Sequence, residues 1–419
     1  MKKMNSNSKQ NIWFLLLFTA VFILWGTAIY YGQYVDEYYQ SVGIRMKGGT
    51  VSQRELMRMA EQEKQNKSQK FTGISAWNQV ENQFLESDRL DTKAEVRLIE
   101  VYGAIEKVYP VELISGSVPA ADDDQGCLID EATAYHLFRT KDCVGNALIY
   151  QNRYFYIRGI LRSPEDVCLI IQDAVEKNYS NLELTFADGD NCGQLAADLM
   201  RQYGPTVRYT LIDGYRIAKS LSFGYLLPAW FLGFFLLYDL LAVLWKRRRI
   251  PFQVIALILV ILCLWPLLSW MMEYEIYLPQ QIIPTKWSDF SFWSRKYAAF
   301  QEWKKDMTYM IPSYKDVLLK QHIRSCVSRS VAAVAGMLVL VLYERRLFSG
   351  HKLLSGNRRG SSILLMALLE CAALSLLFAY GKIFTLPRAY LGMPVFYMLA
   401  MECFRWGGGW IRNLRKSRQ

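Results

Sequence analysis

The sequence predicts an α-helical membrane protein of about six transmembrane helices, with an α+β extracytoplasmic domain inserted between the first and second. Three observations predict it: an uncharged apolar run at 13–31, about 190 largely polar residues behind it, and five further apolar runs in the remainder. That order places one large domain on the far side of the bilayer, held by helices at both of its ends.

The first run, Trp13 to Tyr31, approaches the ~20 residues that a hydrocarbon core requires, and Lys2, Lys3 and Lys9 precede it. A cleavable signal peptide is the alternative, because Gly26-Thr27-Ala28 supplies small residues. Signal cores, however, run to only about 7–15 apolar residues, and the later runs need the orientation a retained anchor gives. Those runs lie at 223–245, 251–272, 326–344, 361–380 and 389–404. Lys246, Arg247, Arg248 and Arg249 separate the second and third spans, and Arg345, Arg346, Lys352, Arg358 and Arg359 separate the fourth and fifth. Arg405, Arg412, Arg415, Lys416 and Arg418 follow the sixth. The positive-inside rule assigns these loops, and both termini, to the cytoplasmic face of the plasma membrane. The chain accordingly divides into a tail and first span (1–31), an outer domain (32–220), spans two and three (221–272), an outer loop (273–325) and three last spans with a basic tail (326–419).

Charge tests that division. Residues 32–220 hold 21 Lys and Arg against 28 Asp and Glu, net −7, so the rest carries +18 to reach the total of +11. The basic excess sits in short loops beside spans, where anionic headgroups attract it; it does not point to nucleic acid. Cys127, Cys143, Cys168 and Cys192 fall in the outer domain and allow three pairings. None has CxxC spacing, and small buried hydrophobes are at least as good a reading as disulfides. His136, His322 and His351 are scattered, so no metal site is indicated. There is no Ser-His-Asp arrangement, no P-loop and no sign of a bound cofactor, which argues against an enzyme.

Within the outer domain, Ser52-Gln53-Arg54-Glu55 has capping-box spacing and predicts a helix to about Lys67. Strands are predicted at Gly73–Trp77 and at Ala94–Tyr102, where apolar and polar residues alternate. Ile129 to Phe138 suggests a short helix, and Ala147–Tyr150 with Tyr154–Leu161 reads as a hairpin. Asn181–Phe186, a helix over Gly193–Tyr203 and Thr206–Ile212 form a strand, helix, strand unit that runs straight into the second span.

Several segments then line up in succession: Pro110 to Gly116, Gly126 to Glu131 leading into the short helix, Leu137-Phe138, Val144-Gly145, and Tyr156 to Leu161. This succession resembles the extracytoplasmic core domain of FtsX/MacB-like ABC-transporter permeases. In that family a segment ending in Gly precedes an acidic loop, a strand, a helix ending in Leu-Phe, a Gly-containing turn and a hairpin. The resemblance covers roughly residues 70–215, with the order span, outer domain, spans. It implies a non-catalytic permease subunit with an ABC-type ATPase partner, possible pairing with a second permease subunit, contact with membrane lipids and mechanotransmission to the outer domain. The chain also departs from the family. Those permeases have four spans and a cytoplasmic coupling helix between the second and third, where this chain has only Lys246 to Arg249; residues 344–360 offer a second cytoplasmic loop. Arg247, Arg248, Arg345 and Arg346 are therefore the candidate ATPase contacts, and a scaffold or sensor that has lost coupling is the alternative.

Two further features stand out. In the loop at 273–325, Trp287, Asp289, Phe290, Phe292 and Trp293 form an aromatic segment, and Phe290, Trp293, Tyr297, Phe300 and Trp303 recur at spacings of three and four. Such a stripe suits a helix in the membrane interface, ordinary packing beneath the outer domain, or ligand capture. Asp239, Glu370 and Glu402 lie inside apolar runs, where ionisable groups are costly. Asp239 and Glu402 sit near span ends, whereas Glu370 is mid-span and is expected to face the bundle, pairing with another helix or staying protonated, with a structural role favoured over a proton or ion relay.

Overall fold

A computed structural model describes residues 6–65, 71–171, 177–187, 191–205, 207–247, 251–272, 290–309, 313–350, 359–395 and 397. The chain forms two compact units, one of Met1–Tyr34, Lys219–Tyr277 and Gln321–Gln419, the other of Val35–Ala218 and Leu278–Lys320.

The first unit is helical. Its main elements are α1 (Ser6–Tyr38), α6 (Gly214–Arg247), α7 (Pro251–Met272), α9 (Tyr314–Gly350), α10 (Arg359–Ala379) and the short α11 (Arg388–Leu391). Three helices are long and apolar enough to cross a membrane: Trp13–Tyr38, Gly214–Ala242 and Tyr314–Tyr343. They coincide with the first, second and fourth predicted spans; α7 and α10 are helical over the third and fifth, and most of 389–404 lies outside the described residues. The core of this unit gathers Phe18, Phe22 and Trp25 of α1 with Leu232 and Leu236 of α6, Met337 and Leu340 of α9, and Ala373 of α10. A Cβ on Gly336 would stand 2.5 Å from Val21, so the glycine sets the close approach of α9 to α1. The Trp25 indole N–H donates to the Tyr225 carbonyl at 2.6 Å, and the Tyr390 hydroxyl donates to that of Phe22 at 3.1 Å; polar tips inside an apolar bundle need such partners.

All three long helices outrun their apolar runs. α1 ends at Tyr38 instead of 31, α6 starts at Gly214 instead of 223, and α9 starts at Tyr314 instead of 326. Those 7, 9 and 12 additional residues add about 10–18 Å at ~1.5 Å per residue. Polar residues such as Gln33, Asp36 and Glu37 do not stop a helix, which is why an apolar count alone sets the ends short.

The second unit is built on a ten-stranded mixed sheet. Its strands are β1 (Val42–Met46), β3 (Phe71–Ser87), β4 (Lys93–Tyr102), β5 (Leu113–Gly116), β6 (Gly126–Asp130), β7 (Ala147–Tyr150), β8 (Arg153–Leu161), β9 (Val167–Ile171), β11 (Asn181–Phe186) and β12 (Tyr209–Asp213). They lie in the order β12-β1-β11-β3-β4-β9-β6-β8-β5, with β7 joining β3 to β8, and a separate ribbon pairs β2 (Val51–Ser52) with β10 (Asn178–Tyr179). β4 with β9 and β6 with β8 are parallel, and the other pairs are antiparallel.

Local chemistry accounts for most elements. α2 (Gln53–Gln65) opens on the predicted capping box, with the Ser52 N–H donating to Glu55 at 2.9 Å and the Glu55 N–H to Ser52 Oγ at 3.3 Å. The hairpin β7–β8 turns on Gln151 and Asn152, both at positive φ, as a two-residue hairpin turn demands. α4 (Glu131–Phe138) is capped by the Asp130 carboxylate, which accepts from the backbone N–H groups of Ala132 and Thr133. β11, α5 (Cys192–Tyr203) and β12 form the predicted strand, helix, strand unit, split by β1 between the two strands. β3 runs ten residues past the predicted end at Trp77, through a bulge near Asn82 whose φ is +53°; the bulge and the polar run Asn78 to Asn82 hide the alternation. Two further helices, the short α3 (Ile105–Val108) and the 18-residue α8 (Phe292–Tyr309), belong to this unit.

Candidate functional site

Among the described residues, one end of the sheet collects the segments of this unit that continue into α1, α6 and α9. β1 follows α1 after a short link, β12 leads directly into α6, and the first turns of α9 pack in the same unit. Where α1 ends and α6 begins the backbones nearly touch: a Cβ on Gly214 would stand 1.9 Å from the Tyr39 carbonyl oxygen and 2.7 Å from that of Ser41. Only glycine tolerates that approach. The Gly214 N–H donates to the Ser41 carbonyl at 3.0 Å.

Four charged side chains are buried together here. Arg45 on β1 and Glu183 on β11 face each other, the guanidinium Nη2 donating to Glu183 Oε1 at 2.7 Å. Gly43, two residues before Arg45 and directly opposite Glu183, would bring a Cβ within 3.1 Å of the guanidinium. Its missing side chain is what lets the arginine lie across the strand. The same guanidinium forks onto Asp316 of α9, Nε to Oδ2 at 3.1 Å and Nη2 to Oδ1 at 3.0 Å, the bidentate geometry that suits arginine. Its plane also lies 5.0 Å from the Trp77 ring centroid. Lys315 of α9 donates to Glu183 Oε2 at 3.0 Å, to Ser41 Oγ at 3.2 Å and to the Lys107 carbonyl. Ser41 Oγ in turn donates to Glu183 at 2.6 Å. The four side chains are each no more than 5% exposed, and their formal charges cancel.

Burial by itself would push the Glu183 carboxyl up, but Lys315 and Arg45 overcome it and hold the group below its ordinary value of 4.5. For Arg45 burial opposes the charge, and Asp316 and Glu183 outweigh it. The first turn of α9 is fixed in other ways too. Ser313 Oγ accepts the Asp316 N–H at 3.1 Å, the Tyr39 hydroxyl donates to the Lys315 carbonyl at 3.1 Å, and Tyr314 stacks on Tyr109 with centroids 4.9 Å apart.

α8 docks on the same edge. Asp306 pairs with Lys47, just after β1, at 2.6 Å, Glu302 with Arg208 at 2.7 Å, and the Trp303 indole donates to the Leu211 carbonyl of β12 at 2.9 Å. Met307 is buried beside them. All of the described aromatic stripe remains exposed, and Trp303 differs only in being tied to the sheet by its indole N–H; Trp293, Tyr297 and Phe300, with Phe290 just before the helix, are exposed with no such tie to the sheet.

The residues singled out from the sequence are placed as follows. Phe292 is half-buried and Trp293 exposed; Trp287 and Asp289 lie outside the described residues. Asp239 is buried in α6, and Glu370 is buried in α10 with Oε1 lacking a hydrogen-bond partner among the described residues. Arg247 ends α6, and Arg345 and Arg346 lie in α9, their side chains outside the described set; Arg248 and Glu402 fall outside it altogether. Cys127, Cys143 and Cys168 are buried thiols. Among the described residues no group of three or more His, Cys, Asp or Glu is placed to hold a metal. Arg45, Glu183, Lys315 and Asp316 went unread in the sequence. One local signal was available, the Ser313-x-x-Asp316 capping pattern at the start of α9.

No protein-family model matches this chain, and no curated protein does. Among solved structures, the periplasmic region of MacB from Actinobacillus actinomycetemcomitans is similar with a TM-score of 0.35 at 12% identity, over 44% of this chain and 93% of that one. The extracellular domain of the noncanonic ABC-type transporter YknZ from Gram-positive bacteria aligns with a TM-score of 0.32 at 10% identity, over 41% and 99%. A domain of a putative permease from Porphyromonas gingivalis aligns with a TM-score of 0.29 at 14% identity, over 41% and 88%.

Proposed function

We propose that this chain is a non-catalytic, permease-like subunit of an ABC-type machine, with six spans, cytoplasmic termini and an extracytoplasmic α+β domain. A partner ATPase shifts the spans, and the outer domain changes shape to act on a lipid, peptide or envelope partner. The observation that carries the reading is the buried cluster of Arg45, Glu183, Lys315 and Asp316. It fastens the first turn of α9 with charged, directional links to β1, the strand that follows α1, and to β11 beside it, while β12 on the other side of β1 leads into α6. Buried ion pairs contribute little net stability compared with apolar packing and are best suited to fixing one register over others. Displacement of α9 or α1 then reaches the sheet instead of being absorbed in a loose joint. The succession of motifs from Pro110 to Leu161 supports the same reading.

Arg345 and Arg346 on α9 are the proposed contacts to the ATPase. Replacing both by glutamate is expected to lower retention of the ATPase on the purified protein, and its ATP turnover, by about tenfold, equivalent to ~1.4 kcal/mol. Unchanged copurification and turnover overturn the assignment. A second reading, a membrane-anchored scaffold or sensor, is favoured by the three residues between the end of α6 at Arg247 and the start of α7 at Pro251, too few for a coupling helix. Purification of the wild-type chain from its native membrane with no ATPase attached would select that reading.

A further inference from the structure

We propose that α8 is a lipid-binding element whose exposed aromatic face enters the interface of an anionic phospholipid bilayer on the side of the outer domain. Trp293, Tyr297 and Phe300 fall on one side of the helix at spacings of four and three, and Tyr297 and Phe290 are 66% and 90% exposed. So large an aromatic face is costly in water, and Trp and Tyr favour the headgroup boundary, where the ring is buried and its polar atom stays wet.

Charge chooses lipid over a protein partner. α8 carries six charged side chains: Arg295, Lys296, Lys304 and Lys305 against Glu302 and Asp306. Both acids are engaged by Arg208 and Lys47 of the α+β unit. What the helix offers outward is therefore an aromatic face bordered by cations, the composition of a helix lying in an anionic bilayer surface. Continuity of the chain agrees. Five residue steps, about 17 Å at most, separate Tyr309 from Tyr314, where an apolar helix long enough to cross a membrane begins. With its acids clamped to Lys47 beside β1 and to Arg208 beside β12, α8 would hold the cluster-bearing edge of the sheet to the lipid.

The test uses the full chain reconstituted in nanodiscs of phosphatidylcholine with about one third phosphatidylglycerol. An environment-sensitive fluorophore is attached to Tyr297→Cys and, as a control on the same helix but off the aromatic face, to Ala298→Cys; signal from labelled wild-type protein is subtracted. Acyl-chain-brominated lipids are expected to quench the label at 297 several-fold more than at 298. Replacing the phosphatidylglycerol by phosphatidylcholine, or introducing Lys296→Glu with Lys304→Glu, should weaken that quenching at least twofold. Equal quenching at both positions, or a label at 297 shielded from aqueous iodide yet untouched by brominated lipid, overturns the proposal; the latter would mean that protein covers the face. Because no ATPase enters the measurement, its outcome is independent of the coupling proposed above.

Discussion

The two ends of the ten-stranded sheet are built on different principles. At the far end, β6, β8 and β9 close over Cys127, Ile129, Phe155, Ile157, Cys168 and Ile170 with Leu137 and Phe138 of α4, an apolar core without a buried ion pair among its described members. Burial there pushes the Cys143 thiol up to about 11, consistent with a residue that packs and does not react. The ion pairs of this end, such as Arg158 with Asp123 and Arg162 with Glu112, are on the surface, where such pairs contribute about 0–1 kcal/mol. At the near end β12, β1 and β11 enclose four charges at the point where the long helices attach. Apolar packing is tolerant of slippage, whereas a forked guanidinium between two carboxylates has one arrangement. Buried ion pairing is found where the helices attach, whereas the buried carboxylate of the far end, Asp130, caps α4 and accepts the Val167 N–H.

The largest expected effect comes from unbalancing the cluster. Glu183→Leu leaves Arg45 and Lys315 buried against Asp316 alone, and removing one partner of a buried pair costs about 3–5 kcal/mol. Hydrogen exchange should show lost protection in β1, β11 and the first turn of α9, with β6 and β8 much less affected. A variant with all four charged residues replaced by apolar ones of similar size sharpens the contrast, because it should recover stability without recovering directional coupling. Uniform loss of protection across the sheet in Glu183→Leu would show that the two ends do not differ in the way described.

Acid provides a gentler probe of the same contrast. Glu183 is held below its ordinary 4.5 in the folded state by Lys315 and Arg45, against the opposing effect of burial. A depressed carboxyl adds stability at pH values above the ordinary one, and that contribution disappears as pH falls through the folded value. Arg45, Lys315, Asp316 and Ser41 face this carboxylate, and protonating it cancels its attraction for both cations. Exchange protection of β1 and β11 should therefore fall first on acidification below 4.5. A sheet that opens first at β6 and β8 contradicts the assignment.

How much of this was legible in the chain follows the range of each interaction. The capping box at Ser52 and Glu55, the hairpin and the strand, helix, strand unit are local patterns that the sequence carries, although the turn closes on Gln151 and Asn152 alone, with Arg153 already in the strand, and the last strand reaches Asp213 instead of Ile212. β1 escapes a sequence expectation although Val42, Ile44 and Met46 alternate with Gly43 and Arg45, because five residues that include a glycine and a charge make a weak strand signal. The cluster explains both residues, yet its members are 138 and 271 positions apart, and no local window joins Arg45 to Glu183 or Asp316. The aromatic stripe of α8 is a local pattern, but the bond that ties the Trp303 indole to the Leu211 carbonyl joins residues 92 positions apart.

The smallest effect tests whether α9 is part of the edge or merely beside it. Ser313 caps α9 by accepting the Asp316 N–H, and that bond also sets the angle at which the Asp316 carboxylate meets Arg45. Ser313→Ala is expected to cost about 1 kcal/mol, the ordinary value for a lost cap. A cap that served the helix alone would lower protection only in the first turn of α9. If the cluster transmits position, β1 and β11 lose protection with it, by a smaller factor than in Glu183→Leu, while β6 and β8 do not move. Confinement of the change to α9 would separate that helix from the sheet and leave Arg45 and Glu183 as a local pair across two strands.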